Sequence, residues 1–360
     1  MTMDQNISAN SSLFGLSSAQ FKPIVEQLVS EEKLRQFLVE GERSLQGFQG
    51  YCADKKVVIV SYLTEAGRQE RRPLFIKRLF PFIPAEAYHY HYLEASGVPV
   101  AHLYGVLNGS QGEEILFLEY LERIGIARHV PEELWQWLRV LVELNTVVLD
   151  EHYAKKLVHH QHERWLQDGE FLGQFFDQLE RHALYGDLGD TIQALYQKHS
   201  VKQQALLHMA YRLGELVRTL PQGLIHGDFV EQNVGWRMQA QKLLIFDLHK
   251  VALGPRFWDI AGVLKSLLKP DAALSYQEAA QYYLELWQQR TGQALALETF
   301  LAEVEALWQI TLLQSLPWHL ERALDGEVDW TPDREEGRHV YRRWLYGRLL
   351  QLFEASSLQP

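Results

Sequence analysis

The stretch LIHGDFVEQNVGW at 224–236, followed by KLLIFDLHK at 242–250, decides how the rest of the chain is interpreted. It contains three acidic or amide side chains, Asp228, Asn233 and Asp247, and the first two are five positions apart (233 − 228). The apolar run just before Asp247, bounded by turn signals, is typical of a buried strand. The pattern therefore places a carboxylate at the carboxyl end of a strand, where ligand sites in mixed folds tend to lie.

These three side chains suit phosphoryl transfer from a nucleotide. A positioned aspartate, here Asp228, can accept the proton of an attacking hydroxyl, while Asn233 and Asp247 can hold the metal ions that bridge nucleotide phosphates. Magnesium takes oxygen ligands of this kind, often one or two carboxylates with phosphate and water. Each piece alone is also an ordinary turn, because glycine tolerates a positive φ and aspartate caps locally. That alternative does not account for all the pieces in this order.

In their order and spacing, these segments resemble the aminoglycoside phosphotransferase and choline kinase family. The resemblance is carried by His226-Gly227-Asp228 with Asn233, by Phe246-Asp247, by Gly254-Pro255 and by Asp259-Ile260-Ala261. It implies an α+β, protein-kinase-like, two-lobed fold with a small antiparallel-sheet N-lobe and a larger, mainly helical C-lobe. It also implies that Asp228 is the catalytic base, that Asn233 and Asp247 bind Mg²⁺, and that ATP or GTP is the phosphoryl donor.

Upstream of these motifs, periodicity predicts helices and then strands. Helical spacing covers 18–39, as one helix followed by a second short helix from Ser30. Runs rich in β-formers at 57–63 and 74–80 flank a polar hairpin loop. By the resemblance, a loop at 47–56 would cover the nucleotide phosphates through its backbone N–H groups. Its two glycines are equally explained by an ordinary turn.

Lys77 is the candidate phosphate ligand of the N-lobe. On a strand of period two it shares a face with Phe75 and Leu79, and a lysine on an apolar face is costly unless its charge is paired. An exposed edge strand with Lys77 in water is the alternative. The resemblance implies that Lys77 contacts the nucleotide phosphates and pairs with Glu86 of the next helix. Simple complementation of the helix dipole would also explain Glu86.

Two more predicted strands, 103–107 and 114–120, are separated by a strong turn signal. The second strand resembles the hinge of the family, whose backbone, here Glu119, Tyr120 and Leu121, would bind the purine edge. An ordinary edge strand is the alternative.

The resulting division of the chain has three parts. We expect a loose N-terminal tail at 1–18 and an N-lobe at 19–121 that covers the nucleotide. A helical C-lobe at 122–360 would follow, with the catalytic loop, the metal site and the acceptor pocket.

Four residues near the motifs are interpreted individually. His226 is expected to be structural, and Asp259 to brace the catalytic loop or cap the helix that follows. After Asp247 the chain has Leu248, His249 and Lys250, where many members of the family have an aromatic residue and a carboxylate. Lys250 is close enough in sequence to reach the phosphate or the acceptor. Glu231 could touch a cationic acceptor. Solvent exposure explains Lys250 and Glu231 at least as well.

Composition narrows the class of protein. The 360 residues are 47% hydrophobic, which suffices for a sizeable core. The formal net charge of −11 argues against a nucleic-acid partner and favours attraction of cationic small molecules. A signal peptide and a transmembrane helix are not expected. The single cysteine, Cys52, excludes an internal disulfide and fits a cytoplasmic protein.

The sequence therefore predicts an ATP-dependent kinase that transfers the γ-phosphoryl group to a hydroxyl of a small molecule. The acceptor class covers aminoglycosides, aminoalcohols, sugars and other amine-bearing natural products, and fold does not decide among them. The alternative is a pseudokinase-like module that binds nucleotide or ligand without turnover, although no catalytic position is replaced. A protein-directed kinase is disfavoured because no clear activation segment follows Asp247. Oligomeric state is not predicted.

Overall fold

The computed structural model describes residues 14–29, 33–44, 52–80, 86–109, 112–159, 177–179, 181, 203–268, 271–325, 344–345 and 347–352. The chain divides into two compact units, the first comprising 1–155 with 228–251 and the second 156–227 with 252–360. The first unit therefore combines two segments of the chain, 1–155 and 228–251, that are more than seventy positions apart (228 − 155). The second segment contains Asp228, Asn233 and Asp247.

The first unit contains most of the strands. Its helices are α1 (Ser18–Val29), α2 (Glu86–Ala95), α3 (Pro131–Asn145) and, up to Lys155, α4 (Glu151–Lys156). Its strands are β1 (Leu34–Ser44), β2 (Cys52–Thr64), β3 (Gln69–Leu79), β4 (Leu103–Asn108), β5 (Glu114–Glu119), β6 (Arg123–Ile124), β8 (Val234–Arg237) and β9 (Lys242–Ile245). The second unit contains α5 (Gln203–Thr219), β7 (Gln222–Ile225), β10 (Ala252–Pro255), α6 (Trp258–Ser266), α7 (Tyr276–Thr291) and α8 (Leu297–Asp325).

A five-stranded antiparallel sheet in the order β1-β2-β3-β5-β4 forms the body of the first unit. Helix α1 buries its apolar face against this sheet, in one core cluster with the inward side chains of the strands. The ring of Phe21 lies 5.8 Å from that of Phe37 and 5.5 Å from that of Phe117, centre to centre. The predicted antiparallel sheet is thus confirmed, with a helix covering one face.

The predicted short helix from Ser30 is wrong. Residues 34–44 form β1, which pairs antiparallel with β2 from Leu34 opposite Thr64 to Ser44 opposite Lys56. The register shifts between Leu34 and Gln36 and again between Val39 and Gly41. These irregularities interrupt the period-two alternation that would have indicated a strand. Pairing with β2 decides the structure, because it satisfies the backbone groups and brings Phe37 to the core.

A second sheet, in the order β6-β8-β9, positions the motif residues. Asn233 directly precedes β8 and Asp247 follows β9 by two residues, while Val234 pairs with Ile245 across the two strands. The N–H of Phe246 donates to the carbonyl O of Asn233 at 3.0 Å. Two residues that are fourteen apart in sequence (247 − 233) are therefore brought to the same end of one antiparallel pair.

The second unit is mainly helical, as expected of the chain after the motifs. Its strands β7 and β10 pair antiparallel, and its core is aromatic. The ring of Phe257 lies 4.8 Å from Phe300 and 5.3 Å from Trp287, in edge-to-face geometry that adds to simple burial. Among the helices that the structure describes, none combines the length and the apolar character needed to cross a bilayer.

Some predictions fall outside the described residues. Of the predicted tail, residues 1–13 lie outside, and α1 begins at Ser18. The predicted phosphate-covering loop at 47–56 lies outside up to residue 51, and its remaining residues belong to β2.

Candidate active site

Lys77 on β3 is the centre of a buried ion-pair network. Its Nζ lies 2.7 Å from Oε2 of Glu86 on α2 and also donates to Oδ1 of Asp247. Lys77 is 4% exposed and Glu86 is fully buried. The predicted pairing of Lys77 with Glu86 is therefore present, and the alternative of an exposed edge lysine is wrong.

The network keeps its groups charged. Burial alone would lower the pKa of Lys77, but the carboxylates of Glu86 and Asp247 outweigh it and raise that pKa above its usual value. Burial would likewise raise the pKa of the Asp247 carboxyl, whereas the hydrogen bond with His249 and the charge of Lys77 hold it well below its usual range. Asp247 is thus an anion throughout the neutral range, which suits a carboxylate that is predicted to bind a cation.

Asn233 links the other two motif residues. It lies in a short 3₁₀ turn and is 7% exposed. Its side-chain Nδ2 donates to the backbone carbonyl of Asp228 at 2.8 Å. Its backbone carbonyl accepts the N–H of Phe246. Since Nδ2 is used within the protein, Oδ1 is the atom that Asn233 can offer to a cation. The structure therefore joins Asp228, Asn233 and the strand end at Asp247 by consecutive hydrogen bonds.

Lys250 contacts the predicted base. Its Nζ lies 3.1 Å from Oδ2 of Asp228, and the two side chains are 38% and 35% exposed. Lys250 is thus partly solvated, and the 3₁₀ turn at Leu248–Lys250 returns its side chain toward Asp228. Of the two alternatives for Glu231, solvent exposure was wrong, because its carboxylate pairs with Arg128 and is mostly buried. Contact of either residue with an acceptor stays a prediction.

Asp259 braces the backbone just before Asp228. Within the second unit, its carboxylate accepts the N–H of His226 at 2.7 Å and that of Gly227 at 3.0 Å. Asp259 is 4% exposed, and Gly227 adopts a φ of +77°. The predicted bracing role is thus observed, and two backbone donors that share one carboxylate restrict the turn that leads into Asp228.

We expect Asp259→Asn to lower the free energy of unfolding by about 2–3 kcal/mol, because the amide loses the charge and one of the two acceptor oxygens. Denaturant unfolding of the full chain measures this change. Asp271→Asn, at an exposed position, is the matched control and should change stability by less than about 0.5 kcal/mol. Equal stability of the two variants would contradict the bracing role.

A cavity of about 660 Å³ opens in the first unit beside the motif residues. The side chains of Val57, Ile59, Phe75, Leu118, Leu121 and Phe246 give it apolar walls. All three predicted hinge residues, Glu119, Tyr120 and Leu121, line it. The N–H of Glu119 donates to the carbonyl of His102 at 2.8 Å and its carboxylate binds Arg237, so these two groups of Glu119 are used within the protein.

The donor set fits a hard cation. Lys77 and His249 both contact Oδ1 of Asp247, so a cation could be bound through Oδ2, together with Oδ1 of Asn233. Glu86, Asp247 and His249 place one ligand atom each within 4.8 Å of the others, but Glu86 is engaged by Lys77. Carboxylate and amide oxygens are ligands that magnesium prefers.

Comparison with solved structures identifies the fold. A spectinomycin phosphotransferase solved with ADP and spectinomycin is 14% identical with a TM-score of 0.57, over 93% of this chain and 98% of that one. The ethanolamine kinase of Plasmodium vivax is 12% identical with a TM-score of 0.54, over 88% and 84%. The choline kinase of Cryptosporidium parvum is 12% identical with a TM-score of 0.52, over 88% and 91%. The fold is therefore the two-lobed, protein-kinase-like α+β fold that the motifs predicted.

The sequence itself assigns the family. Residues 68–296 match the model of the APH phosphotransferase enzyme family, and no curated protein matches the chain. The chain belongs to this phosphotransferase enzyme family, as its motifs indicated. The matched residues include Lys77, Glu86, Asp228, Asn233 and Asp247.

Three residues at the site were not identified from the sequence. Tyr90 and His249 contact Asp247, and Arg237 holds the side chain of Glu119. Tyr90 lies four residues after Glu86 in α2, so it shares a helix face with a predicted site residue. That spacing is the signal that could have found it.

Proposed function

We propose that the protein is an ATP-dependent small-molecule kinase that transfers the γ-phosphoryl group to a substrate hydroxyl. One observation carries the proposal. Consecutive hydrogen bonds join Asp228, Asn233 and the end of strand β9 before Asp247, and Lys77, on β3 of the other sheet of this unit, donates to Asp247. The cavity lined by the predicted hinge lies beside them. Phosphoryl transfer needs positioning and charge stabilisation more than covalent chemistry.

The cavity suits the purine of the nucleotide. Apolar walls would cover the two faces of the base, and the backbone of Glu119 and Leu121 would bind its edge. The ammonium of Lys77 would then bind the phosphates, in exchange for its contact with Asp247. ATP is the proposed donor, and the same main-chain contacts would admit GTP.

The metal site completes the proposal. Asn233 and Asp247 would hold Mg²⁺, which would neutralise the charge of the nucleotide phosphates. In the transfer step, Asp228 accepts the hydroxyl proton of the acceptor while the acceptor oxygen bonds to the γ-phosphorus. The bond from that phosphorus to the β,γ-bridging oxygen breaks, and ADP leaves with the electron pair. Asp228 would also orient the acceptor hydroxyl toward the γ-phosphorus.

The acceptor is proposed to be a small alcohol that carries an amine, such as an aminoglycoside or an aminoalcohol. The spectinomycin phosphotransferase and the ethanolamine and choline kinases that share the fold support this class, as does the net charge of −11, which attracts cations. We place the protein in the cytoplasm because its single cysteine excludes an internal disulfide. Residues 19–121 would cover the nucleotide, and 122–360 would hold the acceptor.

One observation favours a second candidate, a nucleotide-binding module without turnover. Oδ2 of Asp228 already has Lys250 Nζ at 3.1 Å, and this contact occupies one of the two oxygens that would accept a hydroxyl proton. In the kinase, either the other oxygen would accept the proton or Lys250 would move away when substrates bind.

Two measurements on the wild-type protein separate these candidates. We expect ATP to raise the melting temperature, and magnesium to increase that shift, because the nucleotide and metal bind only the folded state. We also expect ATP consumption with one or more members of a panel of amine-bearing alcohols, and mass spectrometry should show the gain of one phosphoryl group. ATP binding without consumption across the panel would support the binding module, and the absence of ATP binding would exclude both.

A further inference from the structure

Asp247 has an unusual backbone conformation. Its φ of 62° and ψ of 57° are left-handed, and among the residues that the structure describes only Phe14 and Gln241 share a positive φ without being glycine. Residues with a side chain adopt this region rarely, and they stay there only where the surroundings determine it. The conformation turns the chain sharply after β9 and thereby directs the carboxylate of Asp247.

Two side chains of helix α2 hold this turn. The hydroxyl of Tyr90 accepts the N–H of Asp247 at 2.9 Å. Oε1 of Glu86 accepts the N–H of Leu248 at 3.0 Å. Glu86 and Tyr90 are one helical turn apart on the same face of α2. The backbone N–H groups of Asp247 and Leu248 are therefore both bound by side chains of this one helix.

The hydroxyl of Tyr90 is well suited to this contact. Tyr90 is fully buried, so its hydroxyl needs a hydrogen-bond partner within the protein. A phenol oxygen can accept a backbone N–H, and the N–H of Asp247 is the partner that the structure provides.

We propose that Tyr90 is a positioning residue that holds Asp247 in its left-handed conformation and so sets the affinity of this carboxylate for magnesium. The part that concerns magnesium rests on the proposed function, because it takes Asp247 as the metal ligand. The part that concerns the backbone of Asp247 is a property of the protein alone. Tyr90 acts through Asp247 and does not itself contact nucleotide or metal.

The test compares Tyr90→Phe with Tyr62→Phe. The first change keeps the ring and removes only the hydroxyl that accepts the N–H of Asp247. Tyr62 is a matched control, because it is 2% exposed and its hydroxyl also makes a hydrogen bond, to Oε2 of Glu70 at 2.6 Å. It lies on strand β2 of the five-stranded sheet and does not contact Asp247.

Amide hydrogen exchange of the full-length, nucleotide-free protein tests the backbone part. In Tyr90→Phe we expect exchange at the amides of Asp247 and Leu248 to be about tenfold faster than in wild type, because a buried hydrogen bond is lost. In Tyr62→Phe these two amides should keep the wild-type rate. Unchanged exchange in Tyr90→Phe would overturn the proposal.

Magnesium affinity tests the functional part. With a non-hydrolysable ATP analogue as ligand, we expect the magnesium concentration at half-maximal thermal shift to rise about 10- to 100-fold in Tyr90→Phe, as when a partner of a metal ligand is removed. Nucleotide affinity without magnesium should not change. An unchanged magnesium requirement, with faster exchange, would overturn the link to the metal.

The two measurements also separate this inference from the proposed function. If wild-type protein binds the nucleotide without any effect of magnesium, the proposed metal site fails. The exchange rates of Asp247 and Leu248 would still decide whether Tyr90 holds the turn.

Discussion

Asp228→Asn is expected to reduce phosphoryl transfer by about 10²- to 10⁴-fold, the usual contribution of a positioned general base. The amide is nearly the same size but has no basic oxygen to accept the hydroxyl proton. Nucleotide binding should be almost unchanged, since Asn233 is bound by the backbone carbonyl of residue 228 and not by its side chain. Turnover on the best acceptor of the panel, with the nucleotide dissociation constant measured separately, checks both expectations.

Asp271→Asn is the control for this change, because it makes the same substitution at an exposed position that has no place in the proposed mechanism. It should retain wild-type turnover. Wild-type-like turnover by Asp228→Asn would remove the base role of this residue. Loss of nucleotide binding together with turnover would mean that the variant damages the site as a whole.

Asp247→Asn is expected to abolish the effect of magnesium on nucleotide binding and to reduce turnover at least about a hundredfold. A metal ion at the phosphates stabilises transition-state charge by several kcal/mol. The amide cannot neutralise that ion, although it keeps the size of the side chain. Magnesium titration of the thermal shift, with ATP at saturation, measures the first effect, and turnover measures the second.

The two variants are expected to differ in one decisive way. Asp228→Asn should bind nucleotide with a normal magnesium dependence, whereas Asp247→Asn should bind it without one. Lys77 keeps Glu86 as a partner at 2.7 Å in the second variant, so the ammonium is not left unpaired in the core. A normal magnesium dependence in Asp247→Asn would exclude this residue as a metal ligand.

The structural position of a residue was predicted correctly where nearby residues in the sequence, or the order of the family motifs, determine it. The apolar run before Asp247 does form a buried strand, β9, because a short apolar segment between turn signals has few other ways to satisfy its backbone. The apolar strand neighbours of Lys77 left an exposed position open, and the resemblance to the family implied the pairing with Glu86 that is present. Asp259 was expected either to brace the loop or to cap the following helix, and it braces the loop. The roles of these residues in catalysis are still predictions.

The prediction failed where pairing partners distant in sequence decide the structure. Residues 30–39 were assigned to a short helix from their spacing, yet residues 34–44 pair with β2 as a strand with two irregularities in register. The ion pairs of Lys250 with Asp228 and of Glu231 with Arg128 were not predicted. The charge on each was visible in the sequence, and the identity of its partner was not.

The linear order of a few motif residues was therefore enough to specify the family, the kinase-like fold and the candidates for base, metal ligand and phosphate ligand. It was enough because those residues must occur at set distances around strand ends and tight turns. Only the folded chain showed that Tyr90 and Glu86 hold the backbone of Asp247 and Leu248. Contacts between residues more than 150 positions apart (247 − 90) depend on how helix α2 packs against that turn, and no local pattern in either segment encodes this packing.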